Sequence, residues 1–314
     1  MKKFLQNIFS IDTKSTNRVI IKICGIKIRF LKKGIMEEGL KYTQLDCPVT
    51  EIPPTTGSLR VIQMADLKML QILHGLCEKH GLQYWIDFGN LLGAVRHKGF
   101  IPWDDDVDVS MMRDDYEKFI ELYKDGFPEY PDLYMYFDNN GKNKCFVKIL
   151  HKTLPYVQID IFPYDYYYRK VTVEEQTEIT NEIKKSRNKK YYKLLYPFFV
   201  NAPNAMRKRF VKLRDKVILK GNIVDKSMYP ALFYGVDYPH MHKNHVFAYE
   251  DIFPLSTILY ENIQLPCPNN PEAVVRHIFG DTYMELPDNC YPRHTNSSGF
   301  SDELSAAMDK FINS

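Results

Sequence analysis

The chain has little net charge of either sign: 42 Lys and Arg stand against 39 Asp and Glu, leaving +3 over 314 residues. A balance this small, beside an acidic cluster described below, argues against a nucleic-acid binder. Cysteine is sparse and scattered, at positions 24, 47, 77, 145, 267 and 290, with no CxxC. That spacing excludes a zinc site or a disulfide framework and fits reduced, mostly buried thiols of a cytosolic protein. No run of roughly 18 apolar residues occurs, so no transmembrane helix is expected. The start, MKKFLQNIFSIDTK, is basic but lacks the apolar core of a secretion signal. Internal repeats and low-complexity segments are also missing. What the chain does have is 45% hydrophobic and 14% aromatic residues, enough for a real core in one large or two small domains.

The most informative stretch is WIDFGNLLGAVRHKGFIPWDDDVDVSM, Trp85 to Met111. It holds a Gly89-Asn90 pair, then Arg96, His97 and Lys98, then four aspartates in five residues: Asp104, Asp105, Asp106 and Asp108. Two like charges 4 Å apart cost about 1 kcal/mol in water and about 4 kcal/mol near a protein surface. Such a cluster needs an offset, and divalent cations are the simplest one.

Periodicity supplies the frame. Leu67, Leu70, Leu73 and Cys77 recur at helical spacing, and Gly81 is placed to end that helix. Leu82 to Phe88 reads as a strand, Gly89-Asn90 as the turn after it, and Leu91 to Val95 as a short helix. Val107 and Val109 alternate with Asp106 and Asp108, which on a strand turns both aspartates to one face. Arg113 to Leu122 reads as a helix. Val157, Ile159 and Ile161 mark another strand, from which Asp160 projects oppositely; pairing it beside the first aspartate strand would bring three carboxylates together. Pro271 to Phe279 reads as a short helix in a tail that packs behind the sheet.

Outside this core, residues 19–33 alternate between apolar and basic around Gly25, the pattern of a basic ribbon over residues 1–40. The ribbon is either a foot on an anionic membrane or a solvated edge hairpin. Residues 41–58, with Pro48, Pro53, Pro54 and Gly57, read as a linker. Between Tyr166 and Lys220 fifteen Lys and Arg face five acids. With prolines at 197 and 203 this reads as a basic helical insertion at about 166–245, set in a domain running from 59 to 314. His240, His242 and His245 have metal-like spacing but no Cys or acidic partner nearby, so they read as loop histidines.

A glycine turn, a D-x-D strand and a third aspartate on a later strand are the parts of a nucleotidyltransferase-type site. Glycine lets backbone N–H groups approach phosphate. Asp106, Asp108 and Asp160, with Asp104 as a further candidate, are hard oxygen ligands for Mg²⁺ or Mn²⁺. Two such ions clamp the attacking and leaving oxygens of an in-line displacement. Asp160 is also the candidate to take the acceptor's proton. Arg96, Lys98 and Lys148 are cations for a diphosphate. His97 reads equally well as a neutral histidine on Trp103, and both tryptophans read as core or wall.

The run FGNLLGAVRHKGFIPWDDDVDVSMMRDDYEKF resembles the LicD family of phosphorylcholine transferases and fukutin-type phosphotransferases. QIDIFPYD resembles its third-aspartate motif, and the segments around RVIQMADLKMLQIL and FPLSTILYENIQLPCPNNPEAVVRHIFGDTYMELP match its layout. The resemblance implies an α+β, polymerase-β-like nucleotidyltransferase fold, with a mixed sheet flanked by helices. It further implies a CDP-activated alcohol donor, such as CDP-choline or CDP-ribitol, and a cell-surface glycan acceptor that is lipid-linked or membrane-proximal. The expected place is the cytoplasm, peripheral on the inner face of the plasma membrane. Asn90 departs from the Thr or Ser usual there, though an amide also contacts phosphate.

Alternatives stay open at this point. An EF-hand fails because neither register places glycine at position six, which falls on Val109 or Met111. A D-x-D glycosyltransferase would use Asp106 and Asp108 on a nucleotide-sugar and release a nucleoside diphosphate. A non-catalytic docking module would bind metal without turnover.

Overall fold

The computed structural model describes residues 9–12, 18–23, 26–31, 42, 45, 47–138, 146–172, 246–287, 290–293 and 300–314, together with 231–234 and a few isolated positions between 174 and 221. Most of the basic segment and His240, His242 and His245 fall outside the described residues.

Near the start, β1 (Phe9–Asp12), β2 (Arg18–Ile23) and β3 (Ile26–Leu31) form an antiparallel three-stranded sheet. β2 and β3 pair antiparallel, with Ile23 opposite Ile26. The stretch at 41–58 is less open than a linker. Tyr42, Ile52 and Thr55 are buried, and the Tyr42 hydroxyl donates to the Pro102 carbonyl at 3.2 Å.

Helix α1 (Ser58–His80) runs 23 residues and ends on Gly81 in the left-handed conformation, φ 62°, as the apolar period predicts. The strand expected over 82–88 is only two residues long, β4 (Trp85–Ile86). The chain then turns at Asp87 and Phe88, and α2 (Phe88–His97) begins at once. Gly89 and Asn90 therefore sit in the first turn of a helix, not in a loop before one. The reason lies in Asp87, whose carboxylate accepts from the Phe88 N–H at 2.8 Å and caps the helix. Phe88 adopts φ 47° to make the corner, a conformation rare outside glycine and asparagine.

Then come β5 (Asp108–Met112), α3 (Arg113–Tyr123), β6 (Leu133–Asp138), β7 (Phe146–His151) and β8 (Gln158–Tyr166). β9 (Ala231–Tyr234) and β10 (Val246–Ala248) finish a seven-stranded sheet. β9 was expected inside the helical insertion; it pairs antiparallel with β8 instead. The basic run ends at Lys220, and ALFY at 231–234 has the apolar, aromatic character of a strand.

β8 organises this mixed sheet. Along one edge it pairs parallel to β5. Along the other its first half pairs with β7 and its second half with β9, both antiparallel. One face buries Val147, Ile149, Ile159, Ile161, Val109 and Met111, and α1 and α3 pack on β8. The tail adds α4 (Tyr249–Ile252), the hairpin β11 (Ser256–Tyr260) and β12 (Ile263–Cys267), α5 (Pro271–Phe279) and α6 (Asp302–Ile312). α5 packs on α2 and α6 on α1. No helix among the described residues is long and apolar enough to cross a membrane. Of the described cysteines, 77, 267 and 290 are buried and 47 is exposed.

Candidate active site

On the sheet face opposite that core, three strands set three charged residues in a row. Asp108 on β5 is in register with Asp160 on β8, and Asp160 with Lys148 on β7. Neighbouring strands are about 4.8 Å apart and partners in register share a face. The sequence reading of a third aspartate converging from a later strand rests on this register. Lys148 Nζ donates to both oxygens of Asp160, at 2.6 and 2.7 Å.

Just before β5, Asp104, Asp105 and Asp106 each offer an oxygen within 4.8 Å of the others. Burial holds the Asp108 carboxyl well above the usual carboxylate range, and the charges of Asp106, Asp160 and Asp104 push it further. These are hard oxygens held close against their own repulsion, and the donor set fits Mg²⁺ or Mn²⁺. Asp105 joins the group although the expected ligands were Asp106, Asp108 and Asp160, with Asp104 as a further candidate. It is buried and also accepts from the Arg293 N–H at 3.1 Å, 188 residues on.

Asn90 is fully engaged with protein. Its Oδ1 accepts from the Asp108 N–H at 2.6 Å, while its Nδ2 donates to the Tyr260 hydroxyl at 2.9 Å and the Asp106 carbonyl at 3.4 Å. The Asn90 side chain is thus a clamp on the aspartate backbone. Gly89 matters for a related reason. A Cβ there would stand 2.5 Å from Asp104 Oδ2, so the glycine makes room for a carboxylate. The first-turn positions expected to meet phosphate thus hold the acidic group.

Arg96 and Lys98 lie at the far end of α2, about 10–14 Å along its axis from Gly89 at 1.5 Å per residue. Arg96 is buried and donates to the Tyr283 carbonyl at 2.8 Å and to His97 Nε2 at 2.9 Å. Burial lowers its pKa to about 10. Its guanidinium also lies 5.7 Å from the Trp103 ring. Lys98 is exposed and closes the helix with φ 58°. Arg96 feels the charge of Asp104 but spends its hydrogen bonds on Tyr283 and His97, whereas Lys148 hydrogen-bonds a carboxylate of the row directly. His97 packs edge-on against Trp103 at 6.1 Å, and burial lowers its pKa to about 4, so it is neutral. Trp85 and Trp103 are both buried.

Sequence reasoning missed three acids that support the site. Asp87 is fully buried and accepts from Ser110 Oγ at 2.7 Å and the Tyr164 hydroxyl at 2.9 Å, tying the β4–α2 corner to β5 and β8. Asp66 is fully buried on α1. One of its oxygens accepts from the Gln158 N–H at 3.0 Å, while the other has no hydrogen-bond partner among the described residues. Burial raises its carboxyl well above the usual range, despite that bond, and Asp106, Asp105 and Asp160 add to the rise. Glu261, at the tip of the β11–β12 hairpin, accepts from the Phe100 N–H at 3.1 Å and pairs with Arg60 at 2.6 Å. Asp66 had a signal: with Gln63 it shares the helical stripe of Leu67 and Leu70.

Residues 81–198 match the family model described as "LicD/FKTN/FKRP, nucleotidyltransferase domain". Among curated proteins, the lipopolysaccharide cholinephosphotransferase LicD of Haemophilus influenzae is 48% identical over 66 residues, 21% of this chain and 25% of the relative. A Rickettsia typhi protein, RT0683, is 31% identical over 35% of this chain and 38% of its own length. The human ribitol 5-phosphate transferase FKRP is 25% identical over half of this chain and 31% of its own length. The chain thus spans between 25% and 38% of the length of these relatives. The likeness to the LicD/FKTN/FKRP nucleotidyltransferase domain is carried by residues 81–198, which hold Asp104, Asp105, Asp106, Asp108, Lys148 and Asp160.

Proposed function

We propose that the protein transfers a phosphate-linked alcohol from a CDP-activated donor to a hydroxyl of a cell-surface glycan. The single observation that carries this reading is the register of Asp108 with Asp160 beside the Asp104–Asp106 group. The match of residues 81–198 to the LicD/FKTN/FKRP nucleotidyltransferase domain supports it. The cholinephosphotransferase and ribitol 5-phosphate transferase named among the relatives support phosphocholine or ribitol phosphate as the group moved, with glycerol phosphate a further choice. The mixed sheet with its helices is consistent with a polymerase-β-like arrangement.

Asp106, Asp108 and Asp160, with Asp104 and Asp105, would hold Mg²⁺ or Mn²⁺, two ions by the number of carboxylates. Such ions polarise phosphoryl oxygens and lower the pKa of a bound hydroxyl. The chain's own residues do the rest. Asn90 fixes the backbone carrying Asp106 and Asp108 before any substrate arrives, the preorganisation that electrostatic catalysis requires. Asp160 takes the proton of the acceptor hydroxyl as that oxygen bonds to the phosphorus of the transferred group. The bond from that phosphorus to the nucleoside monophosphate breaks, and Lys148 offsets the negative charge of the phosphates. The basic N-terminal strands and the basic segment after β8 would hold the enzyme at an anionic membrane near a lipid-linked acceptor.

A donor screen tests this reading. CDP-choline, CDP-ribitol, CDP-glycerol, CDP-ethanolamine and UDP-sugars are offered with Mg²⁺ or Mn²⁺, then with chelator, and nucleotide release is followed. Metal-dependent CMP release from one CDP-alcohol, lost in Asp106→Ala, is expected. UDP release from a UDP-sugar would replace the reading with a glycosyltransferase.

A further inference from the structure

The charged row does not stop at Lys148. β6 pairs antiparallel with β7, and Tyr136 is in register with Lys148. Four adjacent strands therefore carry, in order and on one face, Tyr136, Lys148, Asp160 and Asp108. Tyr134, two residues back on the same strand, shares that face. Seven large apolar side chains are exposed among the described residues. Only these two stand at i and i+2 of one strand, Tyr134 at 38% and Tyr136 at 45%. Their neighbour Leu133 is buried, and Met135 and Phe137 pack against the core from the other face. Exposing two rings beside a charged site, on a strand whose other face packs normally, calls for a ligand.

We infer that Tyr134 and Tyr136 form a stacking platform for the base of the nucleotide donor, in line with the lysine and the carboxylates. The inference rests on the donor class proposed above. The order of chemistry along the row carries it. A ligand lying across the strands meets aromatic rings, then an ammonium, then a metal-binding acidic group. A nucleotide has that order: a planar base, then anionic phosphates, then the centre that is attacked. Tyr136 stands two strand spacings from Asp160, roughly 10 Å, which leaves space for a ribose between ring and phosphate. A quaternary ammonium headgroup, which also favours aromatic faces, fits less well because Lys148 would stand beside it with the same charge. The stacked pair Phe146 and Phe162, with ring centroids 4.7 Å apart, continues the apolar floor one row away, and Lys148 Nζ lies 5.3 Å from the Phe146 ring.

The test is the affinity of the intact protein for CMP in the presence of Mg²⁺, measured by calorimetry. The variants are Tyr134→Ala, Tyr136→Ala, the double change and Tyr136→Phe, each checked by thermal melting. Base–aromatic stacking is sequence-tolerant and is lost on truncation to alanine, so each alanine should weaken CMP about tenfold. Tyr136→Phe should stay within about twofold, because the ring face does the stacking. Affinity for inorganic phosphate should not change, and in turnover the loss should fall on the donor's KM. An unaltered CMP affinity in the double variant, with CMP-releasing turnover intact in the unmodified protein, overturns the platform and leaves the phosphotransfer reading standing. Weaker phosphocholine binding with unaltered CMP binding overturns it in favour of the headgroup. Equal losses for CMP and inorganic phosphate overturn it as a general disturbance. No CMP binding and no CMP release in the unmodified protein overturns both readings.

Discussion

The side-chain oxygen of Asn90 accepts a 2.6 Å hydrogen bond from the backbone N–H of Asp108, so the first turn of one helix holds the first residue of the aspartate strand. The other end of the same amide reaches Tyr260, 170 residues later. Asn90→Ala leaves the Asp108 N–H and the Tyr260 hydroxyl without these partners. Stability should fall by about 1–3 kcal/mol, and turnover should fall by more than stability alone explains, because the carboxylates lose their fixed geometry. Urea unfolding and nucleotide release, measured together, check this. A stability loss with normal turnover would show that Asn90 is only a packing residue.

Gly89→Ala should separate fold from site. Replacing a helical glycine by alanine stabilises a helix by roughly 0.5–1 kcal/mol. The new Cβ would stand 2.5 Å from Asp104 Oδ2, the end of a short side chain that can swing away. The expected outcome is an unchanged or slightly higher Tm with weaker Mn²⁺ binding, read by calorimetry. If Mn²⁺ binds as before, Asp104 is not a ligand.

Asp108→Asn should raise Tm in chelator and abolish the rise that Mg²⁺ or Mn²⁺ gives. Asp108 sits among Asp106, Asp160 and Asp104, whose charges oppose its ionisation. Removing that charge relieves repulsion when no cation offsets it. A gain of about 1 kcal/mol corresponds to roughly 2–4 °C in a domain of this size. The metal-induced rise is ligand linkage and needs the intact site. A variant less stable than the parent in chelator, yet still stabilised by metal, would count against Asp108 as a ligand.

Asp66 gives the fold a pH dependence with a defined sign. Its folded carboxyl is held well above the unfolded value near 3.8. Below 3.8 both states are protonated and this contribution to stability is fully present. As pH rises the unfolded chain ionises first, so stability falls until the folded carboxyl ionises too. Asp66→Asn removes that fall. Relative to the parent, it should be more favourable at pH 8 than at pH 4 in chelator, by urea unfolding. Equal differences at the two pH values would mean that Asp66 ionises as freely folded as unfolded.

Much of this was legible from local pattern. The α1 stripe ending on Gly81, the Val/Asp alternation of β5 and the helix over 271–279 follow from spacing and caps, which act over a few residues. The β4–α2 corner was misplaced by two residues because Phe88 takes a left-handed φ that its side chain does not announce. Arg96 stands near the acids in sequence, but only the folded chain shows its guanidinium bonded to the Tyr283 carbonyl and His97. The supports at Tyr260, Glu261 and Arg293 were invisible, since nothing local in a chain records a bond across 161 or more residues. Asp66 was readable in principle, as an acid on an apolar stripe.

Those distant supports bear on how the site comes into being. The carbonyl of Asp104 is held by Gln63, the carboxylate of Asp105 by the backbone of Arg293, and the clamp at Asn90 by Tyr260. Residues 81–198 supply the acids but none of these three. Contacts so far apart in the chain form late, because a long loop must close before they are gained. The smallest piece able to assemble the acidic pocket therefore runs from α1 to Arg293, and a chain cut to the matched segment should fold, if it folds at all, with its aspartates unheld.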